Sequence, residues 1–391
     1  MMASAEPILT RIFHRVSTAA AQSGMPTALR LFGRLDILSN MPSLPARRAP
    51  CSHARLRPLV TKPYEISRLM VLAITAFFGV SAVNAGDSLL YFEAQGIAGY
   101  SSMDGAMAYH SGHKHDAMQK NGIGFDYIRK FSNEYGDFGS GALQMRLVWD
   151  DADDTPQVQA YNAYIKLKTS PVDVWAGHNR VPFGLAAYWD THADLLQPLS
   201  MYGFGFERDW GAGISRDFAD GDFSASVTMG SGMALKANGN LVAAMRASYG
   251  VLLRDNYNVG VSFMGGKTLD TMGYMVMDDD PKDALLGGVD FAWNHDRVEH
   301  RAEFDVGRKN EMAAAAFFYR IGYNLFDENR MKLEGQYAWT KQEGASAGMT
   351  GFGATYKISS SLAARAMYQR EREMNDNRVV FQLYYYRLWP R

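Results

Sequence analysis

From about residue 88 onward the chain repeats one pattern. Short segments alternate apolar and polar side chains, and the turns between them are short and long by turns. In the last segment Val379, Phe381, Leu383 and Tyr385 share one face, while Gln382, Tyr384 and Tyr386 share the other. Strand side chains point alternately to two faces, so this period writes a sheet with two unlike surfaces. Sixteen strands are expected, at about 88–100, 122–131, 138–150, 157–169, 171–182, 208–218, 222–231, 241–253, 256–266, 284–294, 297–308, 313–326, 329–341, 348–358, 361–372 and 377–389. Each has about ten residues or more, which is what a tilted strand needs to cross a bilayer and more than globular strands usually have. The fold class this predicts is all-β, a transmembrane antiparallel β-barrel.

The connections support a bilayer topology. One set is short: Ser132–Asp137, Ser170-Pro171, Asp217–Asp222, Arg254–Asn256, Asn294–Asp296, Asp327–Asn329 and Ser359–Ser361. The other set is mostly longer, at 101–121, 151–156, 183–207, 232–240, 267–283 and 342–347, with tight members near 309–312 and 373–376. Short turns on the periplasmic side and longer loops outside are the layout of an outer-membrane barrel. An even strand count then puts both ends in the periplasm.

The first 85 residues read as a leader. Lys62 and Arg68 precede an apolar run, Leu69–Val80, and Val83-Asn84-Ala85 precedes Gly86-Asp87. This is the grammar of a secretory signal peptide cleaved after Ala85. Its distance from Met1 suggests a start assigned too early, or a long presequence. The apolar run is too short for a transmembrane helix. The whole chain has 40 basic and 41 acidic residues, and the leader holds 10 and 3 of them; 30 against 38 remain, a net charge near −8. That acidic balance argues against a nucleic-acid partner. The single cysteine, Cys51, lies in the leader.

The faces sort charge from apolar surface. Tyr161, Ala163, Ile165 and Leu167 oppose Asn162, Tyr164, Lys166 and Lys168. Ala302, Phe304 and Val306 oppose Glu299, Arg301, Glu303 and Asp305; Met331, Leu333, Tyr337 and Trp339 oppose Lys332, Glu334, Gln336 and Thr340. A cation facing lipid at mid-membrane costs about 2–4 kcal/mol, so the charged faces belong to the lumen. Charges without partners cannot fill a dry core, so the lumen is expected to hold water. Trp149, Trp175, Trp210, Trp293, Trp339 and Trp389 sit near strand ends, as interfacial girdles require.

The third outer loop, about 183–207, is the longest. It carries Trp189-Asp190-Thr191-His192-Ala193-Asp194 and ends at Glu207-Arg208-Asp209. With sixteen strands, periplasmic ends and this loop, the mature chain resembles the Gram-negative outer-membrane porins. The stretch from Ala176 to Leu185, with His178, Arg180, Pro182 and Gly184, is similar to the segment leading into that loop in phosphate-selective porins. The resemblance implies a third loop folded into the barrel, its acids facing basic groups on the wall. The implied constriction acids are Asp190, Asp194 and Glu207; the inward basic candidates are Arg146, Lys166, Arg246, Arg301, Arg320 and Arg365. Opposed charges of this kind orient dipolar solutes. The resemblance also implies a homotrimer in contact with outer-membrane lipid and lipopolysaccharide, and folding by a barrel assembly machinery that reads a terminal aromatic. Here Trp389 is followed by Pro390-Arg391, a departure from that signal.

Anion selectivity would call for a basic lumen, yet Glu93, Asp126, Asp290, Glu299, Glu303, Asp305 and Glu334 also point inward. General diffusion of small hydrophilic solutes and ions fits this mixture better than phosphate selectivity. A substrate-selective channel, or a structural or adhesive barrel acting through its outer loops, remains an alternative. His110, His113, His115 and Asp116 in the first outer loop could bind a transition metal, although the spacing matches no zinc pattern. The acid clusters Asp150-Asp151, Asp153-Asp154 and Asp278–Asp280 could take Ca²⁺ or are solvated loop tips. No nucleophile elbow, HExxH, phosphate loop or CxxC pair is present, so no enzyme and no cofactor is expected. The expected location is the outer membrane of a double-membrane bacterium.

Overall fold

The computed structural model describes residues 88–112, 118–150 and 154–389. The leader and its cleavage site, the histidines at 113 and 115, and Asp116 lie outside the described residues. The strands are β1 (Ser88–Ser101), β2 (Ala106–Ala108), β3 (Gly122–Asn133), β4 (Gly136–Asp150), β5 (Thr155–Lys168), β6 (Asp173–Arg180), β7 (Arg208–Phe218), β8 (Gly221–Thr228), β9 (Leu241–Tyr249), β10 (Tyr257–Met272), β11 (Met275–His295), β12 (Val298–Lys309), β13 (Met312–Leu325), β14 (Met331–Gln342), β15 (Ala345–Lys357), β16 (Leu362–Glu371) and β17 (Asp376–Leu388). Apart from the three-residue β2, they form a closed sixteen-stranded antiparallel barrel, as the alternation predicts.

The seam closes on β1. Its residues Tyr91–Ser101 pair with Leu388–Arg378 of β17, and on the other side Ser88–Gln95 pair with Arg129–Gly122 of β3. Beyond Gln95 the short β2 takes over, pairing Ala108–Ala106 with Gly99–Ser101. Between the two ladders the side-chain oxygen of Asn121 accepts the Ile97 N–H at 2.5 Å. A side chain thus covers the donor that the chain crossover would leave open.

The outward face is apolar strand after strand, while the inward face carries the charged and polar side chains together with apolar patches. On β11, Leu285, Val289, Phe291 and Trp293 are exposed, while Ala284, Leu286, Asp290 and Ala292 are buried. On β17, Val379, Phe381 and Leu383 are exposed, while Arg378, Val380 and Gln382 are buried. An exposed apolar girdle of this extent is stable only in lipid, and closure leaves no strand edge unpaired there. Two hairpins turn in two residues with both in the left-handed region: Asn310 (φ 48°) with Glu311 (φ 64°), and Glu343 (φ 52°) with Gly344 (φ 80°). That conformation matches the twist of the flanking strands.

Three expectations are corrected. The segment 267–283 is not a loop: β10 and β11 run on as a long hairpin to the turn Gly273-Tyr274. Cross-strand pairing through Thr268↔Lys282 and Asp270↔Asp278 satisfies the backbone where polar composition suggested a loop. And Tyr161 does not share the outward face of Ala163, Ile165 and Leu167. A bulge in β5, where Gln144 pairs with Asn162 but Met145 with Ala160, turns Tyr161 and Asn162 both inward. Tyr161 is 1 % exposed. One extra residue on one strand shifts the face of everything before it. Trp175 likewise turns inward, its indole filling the space beside Gly213.

Candidate functional site: a loop held across the barrel interior

Between β6 and β7 the chain leaves the wall at Val181 and returns at Glu207, and the intervening loop lies inside the barrel. Gly184 makes the turn inward with φ 58°. A Cβ there would sit 1.7 Å from Glu303 Oε1, so only glycine fits both the dihedral and the space. Its N–H donates to Ser262 Oγ on β10 (3.0 Å), and the Leu185 N–H donates to Glu303 Oε2 on β12 (3.2 Å).

Two apolar contacts hold the loop. Val181, Phe183, Leu185, Leu199 and Phe204 pack on one side of the wall, against Val242, Met264, Leu286, Phe318 and Met349 among others. Leu195 and Leu196 pack against Ile97, Met367 and Val380 of β1, β16 and β17. Fully burying one such side chain is worth about 1.5–3 kcal/mol. Both contacts are apolar and buried.

Polar contacts fill the rest of the perimeter. Asp190 takes the Arg180 guanidinium at 2.9 Å, with Arg208 at 3.8 Å, and stays half exposed. Burial alone would push its carboxyl up, but Arg180 and then Arg208 outweigh that and hold it at about 2. Glu207 is buried, accepting from Tyr161 Oη (2.5 Å), Thr191 Oγ1 (2.8 Å) and Arg208 (3.0 Å). Arg208 lies 3.6 Å over the Tyr161 ring. His192 reaches both oxygens of Glu93 on β1 (2.9 and 3.0 Å). Burial, then Arg146, pushes the His192 imidazole below its ordinary value against the pull of Glu93. The carboxylate can only accept, so Nε2–H donates to it. Gln119 of the first outer loop donates to the His192 carbonyl. On the far side Asp194 pairs with Arg320 (3.1 Å), which also donates to Leu196 O (2.7 Å) and Gln336 Oε1 (2.8 Å).

The nine expected constriction residues separate into groups. Asp194 and Arg320 meet directly. Asp190 and Glu207 meet each other through Tyr161 and Arg208, the latter named only as the end of the loop motif. Arg246 is bound by Asp290 (2.9 and 2.7 Å) and touches the loop through the Tyr188 ring at 4.6 Å. Arg146 lies 3.6 Å from Glu93 and donates to Gln119 and Met118 O, so it faces the first outer loop. Arg301 lies 5.9 Å from the Trp189 ring, and Arg365 donates to Gln382 Oε1 at 3.0 Å. Lys166 pairs with Asp173 across β5 and β6 at 2.9 Å, away from the loop. Arg180, Tyr161 and Trp189 are the contributors that charge alternation did not single out. Position on the motif running into the loop was the available signal for Arg180; the bulge that turns Tyr161 inward has none.

Many inward charges are thus buried in pairs rather than bathed. Arg246 and Asp290, Lys120 and Asp150 (2.7 Å), and Arg378 and Asp376 (2.8 Å) are each less than a tenth exposed. The count of lumen charges did not by itself require a wide water column. In the first outer loop His110 Nδ1 lies 2.7 Å from Gly112 O, and among the described residues no group of three acids, histidines or cysteines could hold a metal.

A closed sixteen-stranded barrel with an apolar exterior, a charged interior and its third outer loop folded inside is the architecture of the Gram-negative outer-membrane porins. No family model and no curated protein matches the sequence. Among solved structures, OmpF of Salmonella typhi is similar with a TM-score of 0.58 at 14% identity, covering 78% of this chain and 99% of that one. The anion-selective porin of Comamonas acidovorans gives 0.54 at 9% identity, covering 78% and 100%. A loop L8 deletion mutant of OmpT, an outer membrane protein of Vibrio cholerae, gives 0.54 at 12%, with the same coverage. At such identities the likeness is one of fold.

Proposed function

We propose that the mature chain is a passive channel in the outer membrane of a Gram-negative bacterium, passing small hydrophilic solutes and ions. The observation that carries this is the loop across the lumen: it is sealed by apolar contacts on two sides and polar where Asp190 stays exposed beside Arg180 and Arg208. A plug with no transport role would have no reason to leave a half-exposed carboxylate beside the Arg180 guanidinium. Asp190, Arg180, Arg208, Asp194 and Arg320 are the groups proposed to form the constriction, with Glu207 and Tyr161 holding the first three in place. The proposed assembly is a homotrimer, as in the porins the chain resembles, with no enzymatic role.

A second reading is favoured by the tight interior: a substrate-selective channel with saturable flux. Purified chain 86–391 in a planar bilayer decides between them. Ohmic steps in KCl with weak ion preference fit the general channel, and steps that phosphate or another solute blocks at low concentration fit the selective one. A folded, heat-modifiable barrel that carries no current would sink both.

A further inference from the structure

On the outside of the barrel, cations mark one side of the rim nearest the long loops. Lys267 of β10, Arg308 of β12, Lys341 of β14 and Arg370 of β16 are all exposed. They share the outward faces of Phe263, Val306, Tyr337 and Tyr368, which lie two or four residues before them. Arg308, Lys341 and Arg370 are each the last residue but one of their strands, and Lys267 pairs with Leu241, the first residue of β9. Their other outward neighbours across the ladders are Asp283, Ala313, Ser346 and Asn377, so one acid stands beside four cations. Among the described residues none makes an ion pair with any of the four. The acids Glu311, Glu343 and Glu373 lie past the strand ends, exposed on the turns. The rest of the rim differs. On β1, β4, β5, β8 and β9 the exposed outward residues near it are Tyr100, Trp149, Val158, Val227 and Leu241.

We propose that the outer surface of β10–β16 docks a glycolipid that carries two phosphates, of the lipid A type that anchors lipopolysaccharide. The proposal needs the outward face of the barrel and not the channel reading. Charge complementarity carries it. A long basic side chain at the edge of an apolar girdle lays its methylenes along acyl chains and holds its charge at headgroup depth. No carboxylate of the protein meets these four charges there, and a lipid phosphate supplies the missing anion. The guanidiniums of Arg308 and Arg370 can take it bidentate. The cations recur on every second strand, so their rows stand about 10 Å apart across the wall. Two phosphates on one headgroup match that spacing; a single phosphate bridges it only by drawing two side chains together. The apolar rim over β1–β9 offers such a headgroup nothing, so the lipid is held on one side of the barrel.

The folded chain in a neutral detergent is titrated with diphosphoryl and with monophosphoryl lipid A, and the lipid bound per barrel is read by native mass spectrometry. The diphosphoryl form should bind more tightly by about fivefold or more, the worth of one further charge contact. Removing two neighbouring cations in the double variant Arg308→Gln, Lys341→Gln should weaken it about tenfold. All four positions are on the surface, so heat-modifiable migration should be unchanged. A second double variant, Arg216→Gln with Arg387→Gln, removes exposed cations at the short-turn end, on β7 and β17. It should leave lipid binding as it was. Equal affinity for the two forms of lipid A, equal losses in the two double variants, or displacement of the lipid by inorganic phosphate at the same concentration would each overturn the surface.

Discussion

Tyr161 has one hydroxyl proton and two carboxylates in reach, Glu207 at 2.5 Å and Asp190 at 3.2 Å. The proton belongs to Glu207, the closer and buried one, and Asp190 is left to the guanidiniums. Tyr161→Phe removes that donor while leaving the ring under Arg208. Glu207 keeps Thr191 and Arg208, so the expected loss is about 1–3 kcal/mol for one unmet buried hydrogen bond. A lowered midpoint of heat-modifiable unfolding in detergent checks it. Asp190 gives a pH prediction. Its carboxyl is held at about 2, below the ordinary value near 3.9. Its charge, and the stability its ion pairs add, are therefore present above the ordinary value and are lost only as pH falls toward the folded one. Reversal potential in a KCl gradient should show no change from this group between pH 7 and pH 4 and a shift toward anions as pH falls toward about 2. Asp190→Asn should show the anion-ward shift at pH 7 already.

At the scale of elements, alternation made the strands legible because lipid and lumen ask for opposite side chains at every step. The faces of β12, β14 and β17 follow from sequence residue by residue. The bulge in β5 does not: Ala160, Tyr161 and Asn162 would read equally well in regular alternation, and the extra residue is set by pairing with β4. The hairpin beyond Thr268 was hidden for a related reason. Its acids Asp278–Asp280 look like a solvated loop, but outside the bilayer both faces of a hairpin may be polar. The Tyr274 hydroxyl at its tip donates to Ala160 O (3.2 Å), bending the hairpin over the mouth of the barrel. The third loop was legible as long and acidic; its course was not, since its anchors are backbone groups such as the N–H of Gly184 and Leu185. Gly184→Ala tests that course. A side chain at φ 58°, ψ −154° costs about 1–3 kcal/mol, and its Cβ would also drive Glu303 from the Leu185 N–H. The turn should lift from the wall, with larger and noisier single-channel steps while the barrel still shows heat-modifiable migration.

For the whole molecule, two closures act on different scales. The barrel closes through its backbone along β1 and β17, with Trp389 N–H donating to Leu90 O (2.7 Å) to finish the seam. The loop closes the lumen through side chains. A sixteen-stranded barrel by itself leaves an aqueous channel, so on the proposed channel reading the loop, and not the strand number, is expected to set the bore. Removing residues 185–204 and rejoining the chain with a short glycine linker should leave the strand ladders intact and raise KCl conductance several-fold. It should also lower the unfolding temperature, because Val242, Met264, Leu286 and Phe318, now dry against the loop, would face water. Their apolar burial, about 25 cal/mol per Å², would be lost with no lipid to replace it. High conductance joined to lowered stability is the signature expected of a loop that both narrows and braces. Unchanged conductance after the deletion would mean that the outer loops gathered at the mouth, and not the third loop, limit flow. In that case conductance should respond instead to shortening the β10–β11 hairpin at Gly273-Tyr274.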